Sequence, residues 1–148
     1  MPVYTCKSIK RILCTLSLLS ILSVYPAEAA TLHFDNMYTG VTSQGLVLSN
    51  TLKSLDGREV TIQGFMAPPL KPTINFFVLT ETPMSICPFC STDADWPSNI
   101  VVVYLDDPVT ALPYDRPITV TGRLSLGSRM DEETGFVSLV RIHADSIR

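Results

Sequence analysis

The most regular pattern along the chain is an alternation of apolar and polar residues in short runs that end at turn-forming residues. In the run from Glu59 to Met66, Val60 and Ile62 share one face, and two prolines follow. A period of two is typical of β-strands, and proline cannot donate to a strand ladder. The pattern predicts five strands: Glu59 to Met66, Ile74 to Leu79, Ile100 to Leu105, Ile118 to Leu126 and Phe136 to about His143.

Two segments depart from this alternation. Ile100 to Leu105 is nearly continuous in β-branched residues, which suits a strand covered on both faces. Before the first strand, Leu48, Leu52 and Leu55 fall at helical spacing, and Gly57 follows where a short helix would end. We expect this segment to be a short helix or an extended lead-in to the strands.

Two glycines, Gly64 and Gly122, lie inside predicted strands. Glycine in a strand interior permits the sharp coiling that closes a sheet into a barrel. Five strands within about 90 residues, with a connecting element around Val109 to Tyr114, fit an OB-like barrel. The predicted fold class is therefore all-β, and the predicted architecture is a small five-stranded OB-like barrel with one or two short helices. A small sandwich is the alternative, because periodicity does not separate the two.

The N-terminus carries a different pattern. Basic residues between Lys7 and Arg11 precede an apolar stretch from Ile12 to Val24, which is followed by Ala27-Glu28-Ala29. This order is typical of a cleavable secretory signal. We predict a signal peptide over residues 1–29 and a single OB-like β-barrel domain over residues 30–148, periplasmic or secreted. A retained membrane anchor is the alternative, although a span takes roughly 20 apolar residues.

Charge argues against one large class of partners. Removal of residues 1–29 takes three of the 11 Lys and Arg residues and one of the 14 Asp and Glu residues, which leaves a net charge of −5. A mildly acidic domain without a basic stripe is a poor nucleic-acid binder. We expect no nucleic-acid partner and no stable membrane span after signal cleavage.

The run from Leu55 to Pro68 resembles the opening of a family of small exported bacterial proteins of unknown function. The similarity continues through Phe76 to Thr80, a cysteine-bearing loop and Ile100 to Val103, and more loosely into the closing strands. The resemblance implies an OB-like barrel. Because some members accompany ABC transporters of the MacB/FtsX type, it also implies a transporter component or another exported protein as partner. In those relatives one cysteine precedes a histidine and a proline run; here Cys87 matches and the histidine does not.

The sharpest chemical feature is Cys87-Pro88-Phe89-Cys90, between the second and third predicted strands. Two thiolates two residues apart form half of a tetrahedral zinc site and also suit copper(I). The spacing of Met84 ahead of them adds a soft donor, which favours copper. Other ligands would come from elsewhere in the chain or from a second subunit, and the candidates are Met84, Asp93, Asp95, His143 and His33.

Two other interpretations of this pair stay open. Cys87 and Cys90 could form a local disulfide, because exported proteins meet an oxidising compartment. They could also serve a thiol–disulfide oxidoreductase, with Cys87 attacking a disulfide and Cys90 resolving it. Such enzymes place the first cysteine at a helix N-terminus in a βαβ unit, whereas the residues after Cys90 form a poor helix and include two aspartates.

Other motifs for catalysis are missing from the sequence. The serines lack a G-x-S-x-G context, no glycine loop for phosphate is present, and the acidic run near residue 132 lacks the EF-hand pattern. Four apolar residues could meet where the first strand ends and the cysteine loop lies: Phe65, Met66, Phe89 and Trp96. The sequence favours an exported, non-enzymatic accessory protein that binds a metal or a transporter through the cysteine loop, with the oxidoreductase as alternative.

Overall fold

The computed structural model describes residues 28–43, 45–69, 73–85, 96–132 and 135–148. Strands dominate it, which confirms the prediction of a mainly β fold. The elements in chain order are β1 (Ala30–Leu32), a 3-10 turn (Phe34–Asn36), β2 (Tyr38–Thr42), β3 (Gly45–Leu48), α1 (Asn50–Ser54), β4 (Glu59–Met66), β5 (Thr73–Thr80), β6 (Ile100–Thr110), β7 (Pro117–Met130) and β8 (Val137–Ile147).

The predicted signal peptide lies outside the described residues, apart from its last two positions. Within the described ranges, neither helical element has the length and apolar character needed to cross a membrane.

Five strands form a closed ring through their hydrogen bonds. β4 pairs with β5, β5 with β6, β6 with β8 and β8 with β7, and β7 returns to pair with β4. The β6–β8 pair is parallel and the other four pairs are antiparallel. The five predicted strands are the five strands of this ring.

β1 supplements the ring at one edge. β5 meets β4 only at Phe65 and Met66, whereas β1 runs parallel to β4 and pairs with Val60 to Ile62. β7 occupies the opposite edge of β4 over the same residues, so β1 covers the edge that β5 leaves unpaired.

Alternation along the ring strands directs one set of apolar side chains into a common core. In β4, Val60, Ile62 and Met66 are buried while Glu59 and Gln63 are exposed. The other ring strands add Phe77, Leu79, Val101, Val103, Ile118, Val120, Leu124, Val140 and Ile142 to the same core. Burial of this face is the physical reason that a period of two was visible in the sequence.

Ile100 to Val103 are buried on both faces of β6, as their β-branched run predicts. Val101 and Val103 belong to the ring core, whereas Ile100 and Val102 pack outside it with Ala67 and Val78. We call these four residues (Ala67, Val78, Ile100 and Val102) the outer cluster. Its partly buried neighbours are the aromatic side chains of Phe76, Trp96, Tyr104 and Phe136.

The two strand glycines lie where another backbone approaches closely. A Cβ on Gly64 would be 2.6 Å from the carbonyl oxygen of Thr80. A Cβ on Gly122 would overlap the carbonyl oxygen of His143 and lie 2.7 Å from the Cα of Ala144. Both positions therefore need glycine for the close approach that ring closure imposes.

Three ring strands, β6, β7 and β8, run well past their predicted ends, and β8 reaches Ile147 rather than about His143. The sequence predicts a connecting element around Val109 to Tyr114, whereas β6 continues to Thr110. Pro108 falls where the β5–β6 register shifts, so its missing N–H interrupts no regular ladder. β7 likewise continues past its predicted end at Leu126 to Met130, because its last residues pair with the start of β8. Side chains of such an exposed extension show no apolar alternation.

The segment before the ring holds both a confirmed and a missed prediction. The short helix is present as α1: the Ser49 Oγ accepts a 3.0 Å hydrogen bond from the Leu52 N–H, and Gly57 follows at φ +74°. Leu48 belongs to β3 rather than to this helix. β1 and the β2–β3 hairpin have three to five residues each, too few to show a period.

Candidate functional site

The predicted site lies in the connection between β5 and β6. Cys87, Cys90, Asp93 and Asp95 are outside the described residues, and so is Phe89. Their geometry, and with it the choice between a metal site and a disulfide, stays a prediction. The described residues at the two ends of the connection, 81–85 and 96–99, define how it is attached to the ring.

A short ladder closes the base of this connection. Thr80 and Ile100 are the last paired residues of β5 and β6, and beyond them the Glu81 N–H donates to the Asn99 carbonyl at 3.1 Å. The Thr80 Oγ1 donates to the carbonyls of Phe65, at 3.2 Å, and Thr82, at 2.8 Å. The end of β4 therefore lies beside the base of the cysteine loop.

Trp96 fixes the returning end of the loop to the rest of the molecule. Its indole Nε1 donates to the Tyr38 hydroxyl at 3.0 Å, and its ring lies 6.2 Å from that of Phe136. It packs against both the ring core and the outer cluster. Burial raises the pKa of Tyr38 to about 12, and the hydrogen bond from Trp96 opposes that rise. Burial therefore keeps the Tyr38 phenol neutral, although the Trp96 N–H by itself would stabilise the phenolate.

The direction of the flanking strands restricts what the cysteine loop can be. β5 and β6 are antiparallel neighbours, so the connection from Glu81 to Asn99 joins them as a hairpin loop. A βαβ unit joins parallel strands through a crossover helix. The loop is therefore not the crossover of a βαβ unit, where thioredoxin-like cysteines lie.

Met84 and His143, two predicted further ligands, lie in different places. Met84 is partly buried at the outgoing end of the cysteine loop. His143 is on β8 opposite Tyr104, with the two rings stacked at 5.6 Å and 19°. Because Tyr104 is four positions along β6 from Ile100, at roughly 3.3 Å per residue, His143 is about 13 Å from the loop base. The structure thus brings Met84, and not His143, to the base of the loop.

Tyr104 is the centre of an aromatic row on the outside of the ring. Phe76 lies 5.8 Å from it on one side and His143 stacks on the other. Its hydroxyl donates to the Asp131 Oδ2 at 3.3 Å. Burial, together with the charge and hydrogen bond of Asp131, raises the pKa of Tyr104. These contacts give His143 a packing role against Tyr104.

A groove near the loop base contains residues that sequence reasoning missed. His33, a further predicted ligand, lines a cavity of about 390 Å³ together with Asp35 and Glu81. Asp35 and Glu81 are isolated in the sequence, and no spacing rule connects them. The β1–β4 pairing that brings the 3-10 turn toward β5 could be found only from the fold. Throughout the described ranges, no three His, Cys, Asp or Glu side chains form a group able to hold a metal ion.

The comparisons with known proteins inform the fold alone. No protein family and no curated protein matches the sequence. Among solved structures, the chain is similar to a DUF3299 family protein from Pseudomonas aeruginosa PAO1, with a TM-score of 0.52 and 14% sequence identity. The match covers 80% of this chain and 94% of that protein. The chain therefore shares a β architecture with a protein of a family whose function is unknown.

Proposed function

We propose that this chain is an exported, non-enzymatic accessory protein whose β5–β6 loop binds a transition metal, zinc or copper(I), through Cys87 and Cys90. The paired thiolates supply two soft ligands at a spacing that metal sites use. Remaining ligands come from Met84, Asp93 and Asp95 on the same loop, with His143 the least favoured because of its distance from the loop base. Met84 as third donor favours copper(I) over zinc.

The antiparallel pairing of β5 and β6 is the observation that carries this proposal. A dithiol enzyme of the thioredoxin type lowers the pKa of its attacking thiol at the N-terminus of a helix in a βαβ unit. A hairpin loop between antiparallel strands does not provide that environment. A loop whose ends are fastened by the Glu81–Asn99 hydrogen bond and by Trp96 instead suits a binding role, because its ligands start from a fixed base.

The strand order of the ring supports an OB-like barrel. If the ring strands β4 to β8 are numbered one to five, their order around the ring is 1-2-3-5-4. Strands three and five of this numbering, β6 and β8, are the parallel pair. This is compatible with a five-stranded Greek-key barrel of the OB type. The resemblance to exported proteins associated with MacB/FtsX-type ABC transporters supports a transporter component, or another exported protein, as the partner in the periplasm.

Intact-mass measurement under native conditions tests metal binding and export together. The full chain is expressed, purified from the periplasmic fraction without oxygen, and incubated with zinc(II) or copper(I). We expect the mass of residues 30–148 with one bound metal ion, and loss of the ion in Cys87→Ser and Cys90→Ser. Ser85→Ala, at a described position of the same loop, is the matched control and should retain the ion.

Three results would contradict the proposal. A mass two hydrogens light that takes up no metal after mild reduction favours the structural disulfide. Catalytic reduction of insulin by the wild type, abolished in Cys87→Ser, favours the oxidoreductase. A full-length mass in the membrane fraction favours a retained anchor over a cleaved signal.

A further inference from the structure

A groove beside the loop base has features of a binding site that the cysteines do not explain. Two cavities, of about 390 and 270 Å³, share Phe34, Asp35 and Glu81 in their walls. Both cavities border these three residues, and we call the two together the groove and each cavity one half of it. The larger half alone lies within the range of roughly 300–1,000 Å³ typical of ligand pockets.

The two halves of the groove differ in chemistry. The larger half is lined by hydroxyl and amide side chains on the outer face of the sheet, Thr31, Thr61, Gln63 and Thr119. The smaller half reaches the β2–β3 hairpin, where it is lined by Tyr38, Val41 and Leu46. Val41 is 77% exposed, so its side chain is available to an apolar group of a ligand.

The two carboxylates between these halves stand on a fixed backbone. Phe34, beside Asp35, is buried, and the Ser49 Oγ donates to the Asn36 carbonyl at 2.6 Å, which holds the turn. Glu81 is held by its N–H bond to Asn99. Both side chains are exposed, and neither has a cationic partner in the part of the chain that the structure describes.

We propose that this groove binds an extended segment of a partner protein that carries a Lys or Arg side chain next to an apolar one. The basic side chain lies between Asp35 and Glu81, where it meets two carboxylates that lack another cation. The apolar side chain packs on Val41 and Leu46 of the hairpin. Backbone amides of the segment hydrogen-bond to the hydroxyl and amide side chains of the larger half. The net negative charge of the exported chain favours the approach of such a basic segment.

Selection from a random heptapeptide phage library tests this proposal. The bait is the purified protein with Cys87→Ser and Cys90→Ser, so that metal binding and disulfide exchange cannot contribute and the two proposals can fail separately. We expect enriched peptides with Lys or Arg at one position and an apolar residue at a fixed offset. One enriched peptide is then synthesised, and its affinity is measured by fluorescence anisotropy.

Variants of the groove identify the binding residues. Asp35→Asn with Glu81→Gln should weaken binding of that peptide by about tenfold, since two exposed ion pairs are lost. Val41→Ser should weaken it by about fivefold through lost apolar burial. Asp106→Asn with Asp107→Asn, exposed carboxylates on β6 outside the groove, changes the net charge equally and should leave affinity within about twofold.

The proposal is overturned if no peptide is enriched, if the enriched peptides lack a basic residue, or if the Asp35/Glu81 variant binds as tightly as its control. Amide chemical-shift changes on peptide addition should lie at Asp35, Val41 and Glu81. Changes confined to the aromatic row around Tyr104 would assign binding to another surface and would also overturn it.

Discussion

The indole Nε1 of Trp96 donates a 3.0 Å hydrogen bond to the hydroxyl of Tyr38, a residue 58 positions earlier in the chain. Tyr38 begins the β2–β3 hairpin, and Trp96 is the first described residue after the cysteines. This one contact therefore joins the returning end of the cysteine loop to the hairpin that lines the proposed peptide groove. Because the chain has one tryptophan, its fluorescence reports on that junction alone.

Replacing Tyr38 with phenylalanine should destabilise the fold modestly. Tyr38→Phe removes the acceptor for the partly buried Trp96 N–H, and loss of such a bond costs about 1 kcal/mol. Urea unfolding followed by Trp96 emission measures the change. Tyr114→Phe is the control, since Tyr114 is exposed and makes no described side-chain hydrogen bond, and it should change stability by less than about 0.5 kcal/mol. Equal stability of the two variants would contradict a role for this bond.

Burial of the Tyr38 hydroxyl predicts a loss of stability at high pH. Burial raises the pKa of Tyr38 from 10.0 to about 12, so the folded state keeps the phenol neutral where the unfolded chain ionises it. The stabilisation is complete below pH 10 and is lost as the pH rises toward about 12. We expect the free energy of unfolding to fall across this window more steeply in the wild type than in Tyr38→Phe. If the free energy of unfolding fell equally with pH in the wild type and in Tyr38→Phe, the raised pKa of Tyr38 would be contradicted.

Ring closure predicts that Gly122 tolerates no side chain. A Cβ there overlaps the His143 carbonyl and the Ala144 Cα, which are backbone atoms of the paired strand and cannot rotate away. Gly122→Ala should cost at least about 2 kcal/mol through overpacking. Gly40→Ala is the control, because Gly40 also lies in a strand but has open space around its Cβ position. It should cost less than about 1 kcal/mol. Thermal unfolding by circular dichroism compares the two, and similar midpoints would disprove the close approach of β7 and β8.

Arg141 predicts a further stability difference, between a buried and an exposed arginine. Arg141 is 3% exposed, and its guanidinium donates to the carbonyls of Gly127, Leu126 and Ser138, at 2.7 to 3.3 Å, where the β7–β8 register shifts. Arg141→Met leaves these oxygens without that donor and should cost about 2 kcal/mol. Arg116→Met, at an exposed position, should change stability by less than about 0.5 kcal/mol. Urea unfolding measures both variants. If Arg141→Met cost no more than Arg116→Met, the hydrogen bonds of Arg141 would not stabilise the register shift between β7 and β8.

The ring strands could be predicted because each buries one face over six or more residues. The predicted bounds of β4 match the structure, and the β-branched run from Ile100 to Val103 correctly predicted burial on both faces of β6. What failed depends on contacts rather than on local pattern. β1 is a strand because β4 has a free edge there, and Pro108 lies within β6 because the register shift removes the need for its N–H.

The site could be predicted only in part for a related reason. Cys87 and Cys90 are visible by their spacing, and Trp96 and Met66 by their apolar character. Asp35 and Glu81 have no such signal, since two exposed carboxylates in polar surroundings are ordinary until the fold puts both on one groove. The acceptor of the Trp96 N–H was equally hidden, because Tyr38 lies in a segment without a period.

Removing the Trp96 side chain should uncover the outer cluster. Trp96 packs on this cluster with Phe136, on the outside of the ring. Trp96→Ala should therefore cost about 3 kcal/mol, more than Tyr38→Phe, because it loses apolar burial as well as the hydrogen bond. The uncovered apolar surface should also bind the dye ANS and promote self-association. Unfolding by urea, followed by circular dichroism because the fluorophore is gone, together with light scattering, measures both effects.

Trp96→Phe separates the two contributions of this side chain. Phenylalanine keeps an aromatic ring on the outer cluster but cannot donate to Tyr38, so its cost should match that of Tyr38→Phe, about 1 kcal/mol. It should not bind ANS or associate. If Trp96→Phe instead behaved like Trp96→Ala, the indole N–H would be the dominant contact and the outer cluster would have another cover. If Trp96→Ala remained as stable as the wild type, the fastening of the loop through Trp96 would have no energetic basis.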